Sequence, residues 1–337
     1  RQFRWTSNEF QHSSKASTLA VICYPLKIKQ ISSLRLYCSF KYFGMYNNFE
    51  FIVTHPEIIK QLAVKDMLFA YYECPQVEKQ VNLFLNYNLI TYTFRGKKTF
   101  HHRDKSWTLT DNSCVFVRKT AFNQERDDMV GWEVLAFYFQ DNFLQQVFRE
   151  YRQYLPLKNL PSPPADMLIE INVNKTTSTF FYGMVPYFTQ QVPPCESLLE
   201  LKFKELLFNV FSDPANITLV AYINSIDDQL KTPLWQIMEA NYTFNLSIDE
   251  FARIAQRSVA AFKREFYEYY HTTPGKWLTN KRLNYAKFLL DTSKKNVSEI
   301  TYVSGFENLT HFSRIFKEKY GLSPLQYRRK ANDSISK

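Results

Sequence analysis

The chain has 337 residues, enough for two domains with cores of their own, and a formal net charge of +10 from 42 Lys/Arg against 32 Asp/Glu. It contains no apolar run of about 18 residues, the length that reads as a membrane span. Its five cysteines (Cys23, Cys38, Cys74, Cys114 and Cys195) are scattered, odd in number and without a CxxC pair. That usage argues for a reducing compartment and against a disulfide framework or a zinc site.

The charge is unevenly spread. Residues 245–337 hold 17 Lys/Arg against 9 Asp/Glu, a net +8, while residues 45–244 hold 18 against 22, a net −4. The basic C-terminal segment has the electrostatic footprint of a polyanion binder, and the acidic middle must do something else. Residues 1–44 carry 7 Lys/Arg and one acidic residue, Glu9, show no period, and precede the first methionine, Met45. They are expected to be disordered, or an extension upstream of the natural start; a basic arm on DNA and a targeting peptide are the other readings.

From Tyr71 the pattern turns to strands. Tyr87 to Arg95, Trp107 to Thr110, Cys114 to Arg118 and Trp132 to Gln140 are aromatic and β-branched, with Gly96-Lys97-Lys98, Arg103-Asp104-Lys105 and Asp111-Asn112-Ser113 as punctuation. Short strands at this spacing predict a small barrel or sandwich. A helix capped by Asp141 is expected to run to Tyr151, then a Pro-rich stretch, a strand over Leu168 to Val173 and a helix over Thr177 to Gln190. His101-His102 is the one tempting metal pair, but neighbours on a strand point to opposite faces and cannot easily share an ion. No HExxH, GxSxG or phosphate-loop pattern occurs, so the sequence offers no catalytic, metal or cofactor residues.

Beyond Pro193-Pro194, Glu196 to Phe211 reads as a strong helix in which Leu198, Leu201, Glu205 and Phe208 advance at helical spacing. Leu198, Leu201 and Phe208 are the candidate dimerisation residues. Ile217 to Ile226 makes another helix, and Asp227 to Pro233 is the expected linker. The domain division that follows is 45–229, the acidic strand-and-helix half, and 230–337, the basic half.

In the C-terminal segment, Trp235 to Tyr242 opens with a helix, and Ser247 with Glu250 forms a capping box for the next, in which Ile248, Phe251, Ala252 and Ala255 face inward. A helix over Ser258 to Tyr269 and a long one from Pro274 to Leu290 follow. The long helix is to pack Trp277, Leu278, Leu283, Ala286 and Leu290 on both neighbours. Further on, Val297, Ile300 and Val303 predict one face of a short helix, Gly305 a sharp turn, and Asn308 the cap of a last amphipathic helix ended by Gly321. That helix buries Phe312, Ile315 and Phe316, with Lys319 on the same side, and exposes Thr310, Ser313, Arg314 and Lys317. Two helices about a Gly-bearing turn make a helix-turn-helix. The layout recurs fifty residues upstream without a gap: Phe262 with Phe312, Arg264 with Arg314, Phe266 with Phe316, Thr273-Pro274 with Ser323-Pro324, and Ile254 loosely with Ser304.

Gly305-Phe306, Phe312, Arg314, Phe316-Lys317, Gly321, Ser323-Pro324 and Tyr327-Arg328, with Arg282, Ala286, Leu289 and Leu290, resemble the C-terminal signature and linking helix of the AraC/XylS family of bacterial transcription regulators. The resemblance spans Leu234 to Lys330. In the first copy Gln256 stands where a turn Gly is usual, and His271 where the helix-ending Gly is usual. The resemblance implies an α+β chain: a cupin-like N-terminal barrel or sandwich with packing helices, then an all-α domain with two helix-turn-helix units. It implies a cytoplasmic, nucleoid-associated bacterial regulator acting as an activator, under a small-molecule or protein effector, with RNA polymerase and a second copy as partners and no membrane.

Two recognition helices in one chain are to enter successive major grooves, about 34 Å apart. The residues expected at double-stranded DNA are Val259, Ala260, Ala261, Lys263 and Arg264 in the first copy, and Asn308, Thr310, His311, Ser313, Arg314 and Lys317 in the second, with Arg328 and Arg329 beyond it. Tyr267 shares the exposed face of the first helix, and Lys319 is to meet phosphate or solvent. Cations supply affinity through counterion release, and the polar and small side chains at base edges supply choice. Other classes are a cupin-type metalloenzyme carrying a DNA-binding tail, against which the scarcity of His argues, and a ligand-independent architectural DNA binder.

Overall fold

The computed structural model describes residues 45–335 except 75, 77, 128–130, 156 and 228–232, and side chains as far as Lys330. The expected extension 1–44 and most of the expected linker lie outside the described residues.

The N-terminal half is a sandwich of two sheets, not a closed barrel. Strands β1 (Met45–Asn47), β4 (Gln80–Phe84), β6 (Lys98–His102), β7 (Lys105–Leu109) and β9 (Ala121–Arg126) form one sheet in the order β1-β4-β9-β6-β7. Strands β2 (Lys60–Val64), β3 (Met67–Glu73), β5 (Asn88–Gly96), β8 (Cys114–Val117), β10 (Trp132–Phe139) and β11 (Leu168–Ile171) form the other, ordered β11-β8-β5-β10-β3-β2. Neighbours are antiparallel apart from β1 with β4. Helix α1 (Asn48–Thr54) follows β1. The β2–β3 and β6–β7 hairpins turn through Lys65 and Arg103, both at positive φ.

Alternation along the six-stranded sheet makes two cores from one layer. Leu68, Ala70, Leu89, Val115, Val134 and Ala136 face the other sheet and meet Leu83, Phe100, Leu109 and Phe122. Phe69, Ile90, Tyr92, Phe116, Leu135 and Phe137 face outward and are covered by α2 (Asp141–Tyr151), α3 (Lys175–Met184), α4 (Glu196–Ser212) and α5 (Ile217–Ile226). The aromatic packing there is dense: Phe137 and Phe203 stack at 5.0 Å, Tyr92 and Phe181 at 4.2 Å.

Four readings of this half need correction. Asp141 does not cap α2; Gln140 does, without a side-chain bond, and Asp141 sits inside the helix. It is buried there because Lys119 pairs with it and Asn88 donates to it at 2.6 Å. Lys98 is not turn punctuation but a buried residue of β6, held by Gln76 at 2.8 Å. Helix α3 ends at Met184, and a short 3-10 turn over Val185–Phe188 replaces the rest of the expected helix. Helix α4 packs through Leu199, Phe203, Leu206, Leu207, Val210 and Phe211, a face next to the expected stripe. Leu198 and Phe208 are half-buried and Leu201 is exposed.

The C-terminal half is all helical: α6 (Leu234–Asn241), α7 (Ile248–Ile254), α8 (Val259–Tyr270), α9 (Pro274–Thr292), α10 (Val297–Val303), α11 (Leu309–Tyr320) and α12 (Pro324–Ile335). It holds two separate cores. Leu278 of α9 joins Phe251, Ala252, Phe262 and Phe266 in the first, and Leu283, Ala286, Leu289 and Leu290 join Ile300, Phe312 and Phe316 in the second. The first core also takes in Phe84 and Ala121 of the five-stranded sheet. Asn241, fully buried at the end of α6, accepts from the Ala121 amide at 2.7 Å and the Thr120 hydroxyl at 2.8 Å.

Candidate nucleic-acid interface

Both helix-turn-helix units are assembled from the same local devices. The N-cap Ser247 with Glu250 opens α7, and Asn296 with Glu299 opens α10; each pair forms a complete capping box. The second box was missed, since Asn is a less familiar member of that motif than Ser or Thr. Ser258 caps α8 by accepting from the Ala261 amide at 3.3 Å, and Asn308 caps α11 by accepting from the His311 amide at 3.0 Å. His271 and Gly321 end the two helices in the left-handed conformation, at φ 52° and 79°.

The repeat is not free of gaps. Helices α8 and α11 are offset by fifty residues, but the caps of α7 and α10 fall at Ser247 and Asn296 and the left-handed turn residues at Gln256 and Gly305, one residue closer. The second turn is therefore one residue longer, and Ser304 corresponds to Ala255, not Ile254. The buried face of α10 is Ile300 and Thr301, continued by Ser304 just past its end; Val303 is 40% exposed. The two departures from the family pattern leave the backbone path intact, because Gln256 takes φ 55° and His271 φ 52°, as a glycine would.

On α8, Ala260, Lys263, Arg264 and Tyr267 are exposed along one face, while Phe262 and Phe266 are fully buried on the other. Ala261 is half-buried, and Val259 packs on the first core, so it offers the DNA side only part of its surface. On α11, Thr310, His311, Arg314 and Lys317 are exposed and Ser313 is half-buried, opposite the buried Phe312 and Phe316. Arg314 reaches Glu318 one turn on and approaches His311 Nδ1 at 3.5 Å, so its guanidinium is held over the exposed face. Asn308 is exposed, with its carbonyl oxygen taken by the cap.

Two expected contacts are engaged within the protein. Lys319 Nζ donates to Asn284 Oδ1 at 2.8 Å and Asn280 Oδ1 at 3.1 Å on α9, and burial lowers its pKa. Arg328 is half-buried and donates to the Lys295 carbonyl, bracing α12 against the segment after α9. Arg329 remains exposed. His101 and His102 do face apart: His101 bonds Ser106 at 2.7 Å and Glu125 at 3.0 Å, while His102 is buried and meets the Ala240 carbonyl at 3.0 Å.

The comparisons with known proteins agree with this arrangement. A profile described as the ExsA N-terminal regulatory domain matches residues 88–222, and one described as a helix-turn-helix domain matches residues 251–330. The transcriptional regulator ExsA of Pseudomonas aeruginosa is 21% identical over 281 residues, covering 82% of this chain and 98% of that protein. The virulence regulon transcriptional activator VirF of Yersinia enterocolitica is 20% identical over 235 residues, 69% of this chain and 86% of its own. Among solved structures, ToxT from Vibrio cholerae is 16% identical and covers 78% of this chain and 98% of its own, at a TM-score of 0.36. With both halves matched and two helix-turn-helix units joined by one linking helix, this chain belongs to the AraC/XylS family of transcription regulators.

Proposed function

We propose that this protein activates transcription by reading two successive major grooves of double-stranded DNA with α8 and α11, under the control of its sheet domain. The observation that carries this is the pair of recognition helices, each capped at its start, buried through a Phe stripe and exposed through cations and small polar groups. Lys263 and Arg314 are the principal base-reading side chains. Ala260, Arg264, Thr310, His311, Ser313 and the exposed edges of Val259, Ala261 and Asn308 complete the surface, and Lys317 and Arg329 supply phosphate contacts. The similarity to VirF, a transcriptional activator, supports activation over repression.

The protein acts as a homodimer in the bacterial cytoplasm, at the nucleoid, and contacts RNA polymerase. The dimer forms through α4, where Leu201 is 62% exposed and the half-buried Leu198 and Phe208 flank it; Tyr154, 65% exposed, lies beside Phe208 at 6.4 Å. A small molecule or protein effector acts through the sandwich, which shares a core with the first unit.

Selection of bound sequences from randomised DNA by wild type, Lys263→Ala, Arg314→Ala and Arg329→Ala tests the reading. Lys263→Ala and Arg314→Ala should each relax one operator position by roughly 1–3 kcal/mol, the two positions lying about one helical turn apart. Arg329→Ala should weaken every sequence about equally and reduce the salt slope by roughly 1. Uniform loss from all three variants would remove base reading from Lys263 and Arg314.

A further inference from the structure

We propose that Arg282 locks the two helix-turn-helix units into one rigid head and thereby makes the protein select operators by the spacing of their two halves. This rests on the reading that α8 and α11 both enter DNA.

The linking helix alone does not account for such rigidity. Its first turns belong to one core, through Trp277 and Leu278, and its later turns to the other, through Leu283, Ala286, Leu289 and Leu290. Two units hung on separate stretches of one helix can rock about the seam between them. Arg282 lies at that seam. Its Nε donates to the Tyr242 carbonyl at 2.7 Å and its Nη2 to the Phe244 carbonyl at 2.8 Å. Both carbonyls belong to the loop between α6 and α7, part of the first unit. A planar guanidinium fixes the two acceptors at once and in one plane, which a lysine cannot do.

The second unit closes on the same spot. Gly305, at φ +90°, stands so near that a Cβ there would lie 2.9 Å from Arg282 Nε and 2.9 Å from the Thr243 carbonyl oxygen. Positive φ and close approach both require glycine at this turn. One residue pair on, Asn245 donates to Glu307 across the joint. The loop of the first unit, the linking helix and the turn of the second therefore meet at one side chain. One open groove is lined by Arg282 and Gly305 together with Thr310, His311 and Arg314, so the joint adjoins the reading face.

A base pair inserted between the two halves of an operator moves the second half by about 3.4 Å and turns it by about 35°. A head held at Arg282 cannot follow that displacement, whereas a head released there can. The residue is a positioning residue: its guanidinium is committed to two carbonyls of the first unit, and its effect is on which spacings are bound.

The test uses the full chain and a two-part site that wild type selects from randomised DNA. Derivatives with one base pair added or removed between the halves are then titrated with wild type, Arg282→Lys, Arg282→Gln and Glu307→Ala, each checked by thermal melting. Wild type should lose roughly 10–100-fold in affinity on a one-base-pair change, comparable to one mismatch or two. Both Arg282 variants should lose less than about 5-fold, with base preference inside each half unchanged. A spacing profile as narrow as wild type's, at whatever overall affinity, overturns the proposal. Should neither Arg282 variant fold, Glu307→Ala loosens the same joint from an exposed position, and a profile no wider than wild type's is then decisive against it. Failure of wild type to select any two-part site would instead sink the reading of two grooves.

Discussion

The two helix-turn-helix units are built to one plan and kept under different conditions. The second stands on its own core: Leu283, Ala286, Leu289, Leu290, Ile300, Phe306, Phe312 and Phe316, with no residue of the sandwich among them. The first shares its core with Phe84 and Ala121 of the five-stranded sheet. Around that shared core lie polar ties: Asn241 to Ala121 and Thr120, His102 to Ala240, Arg253 to Glu50 at 2.6 Å, and Lys119 to Gln256 at 3.1 Å. The last tie reaches the turn between the first unit's own helices. The difference places the sheet domain's contacts on the first unit, so that under the proposed function the sandwich acts on DNA reading through that unit and reaches the second through the joint at Arg282.

The largest effects expected are from the Phe stripes, because Phe262, Phe266, Phe312 and Phe316 are all fully buried. Phe312→Ala and Phe262→Ala should each cost about 3–5 kcal/mol. The comparison is in where the loss appears. Hydrogen exchange should show Phe312→Ala opening α10 to α12 with the sheets unchanged, whereas Phe262→Ala should also expose β4 and β9. Equal protection of β4 and β9 in the two variants would mean that the shared core is not coupled to the sheet.

A smaller loss, about 3 kcal/mol, is expected for Lys119→Met. Lys119 and Asp141 have side chains only 6% and 13% exposed, and removing the ammonium leaves a buried carboxylate with Asn88 as its remaining donor. Burial pulls the Lys119 ammonium below its usual range while Asp141 holds it up. The double variant Lys119→Met with Asp141→Leu should recover part of the loss, since an apolar pair of similar volume needs no desolvation of charge but leaves the buried Asn88 amide without its acceptor. Melting of the single and double variants checks this, and a double variant as unstable as the single would place the cost elsewhere than in the unpaired charge.

His102 gives the interface a pH dependence. Burial first, and then the neighbouring Arg103 charge, push it down to about 4 from its ordinary 6.5. Between those values the unfolded chain binds a proton that the folded chain refuses, so stability present at neutral pH is lost as pH falls. The loss should reach about 2 kcal/mol at pH 5. His102→Gln, which keeps a donor for the Ala240 carbonyl, should flatten the dependence over this window; a slope equal to wild type's would assign it to other groups.

The helical half was largely legible because its signals are local. Caps at Ser247 and Asn308, the buried Phe pairs and the Pro starts of α9 and α12 each need only a few neighbouring residues to be recognised. What the sequence concealed was non-local. Strands β4, β6 and β9 carry Gln, Asn, Lys and His, of which Lys98 and Gln124 are buried and paired with Gln76 and His102 meets the helical half, so they lack the apolar alternation by which strands are found. Asp141 looked like a cap because nothing nearby in sequence reveals Lys119. Arg282 was legible as part of the linking helix, but its partners are two carbonyls some forty residues away. The single extra residue in the second turn escaped because both flanking helices keep their own register.

The smallest effect separates the units at their helix ends. His271 and Gly321 hold the same left-handed position, and each helix closes with an amide bond from that residue, His271 to Tyr267 and Gly321 to Lys317. A residue with a Cβ pays roughly 1–2 kcal/mol to sit there, and glycine avoids most of that at the expense of greater freedom when unfolded. His271→Gly should therefore stabilise the first unit by roughly 0.5–1 kcal/mol, and Gly321→Ala should destabilise the second by about 1 kcal/mol. His271 is exposed and a Cβ at Gly321 meets nothing within 4 Å, so neither change adds a clash or removes packing. Gln256 offers no such clean test, because Gln256→Gly relieves the same strain but severs the bond to Lys119. The sign of that third substitution is informative: a net loss of stability where His271→Gly gives a gain would show the Lys119 tie to be stronger than the strain it is built on.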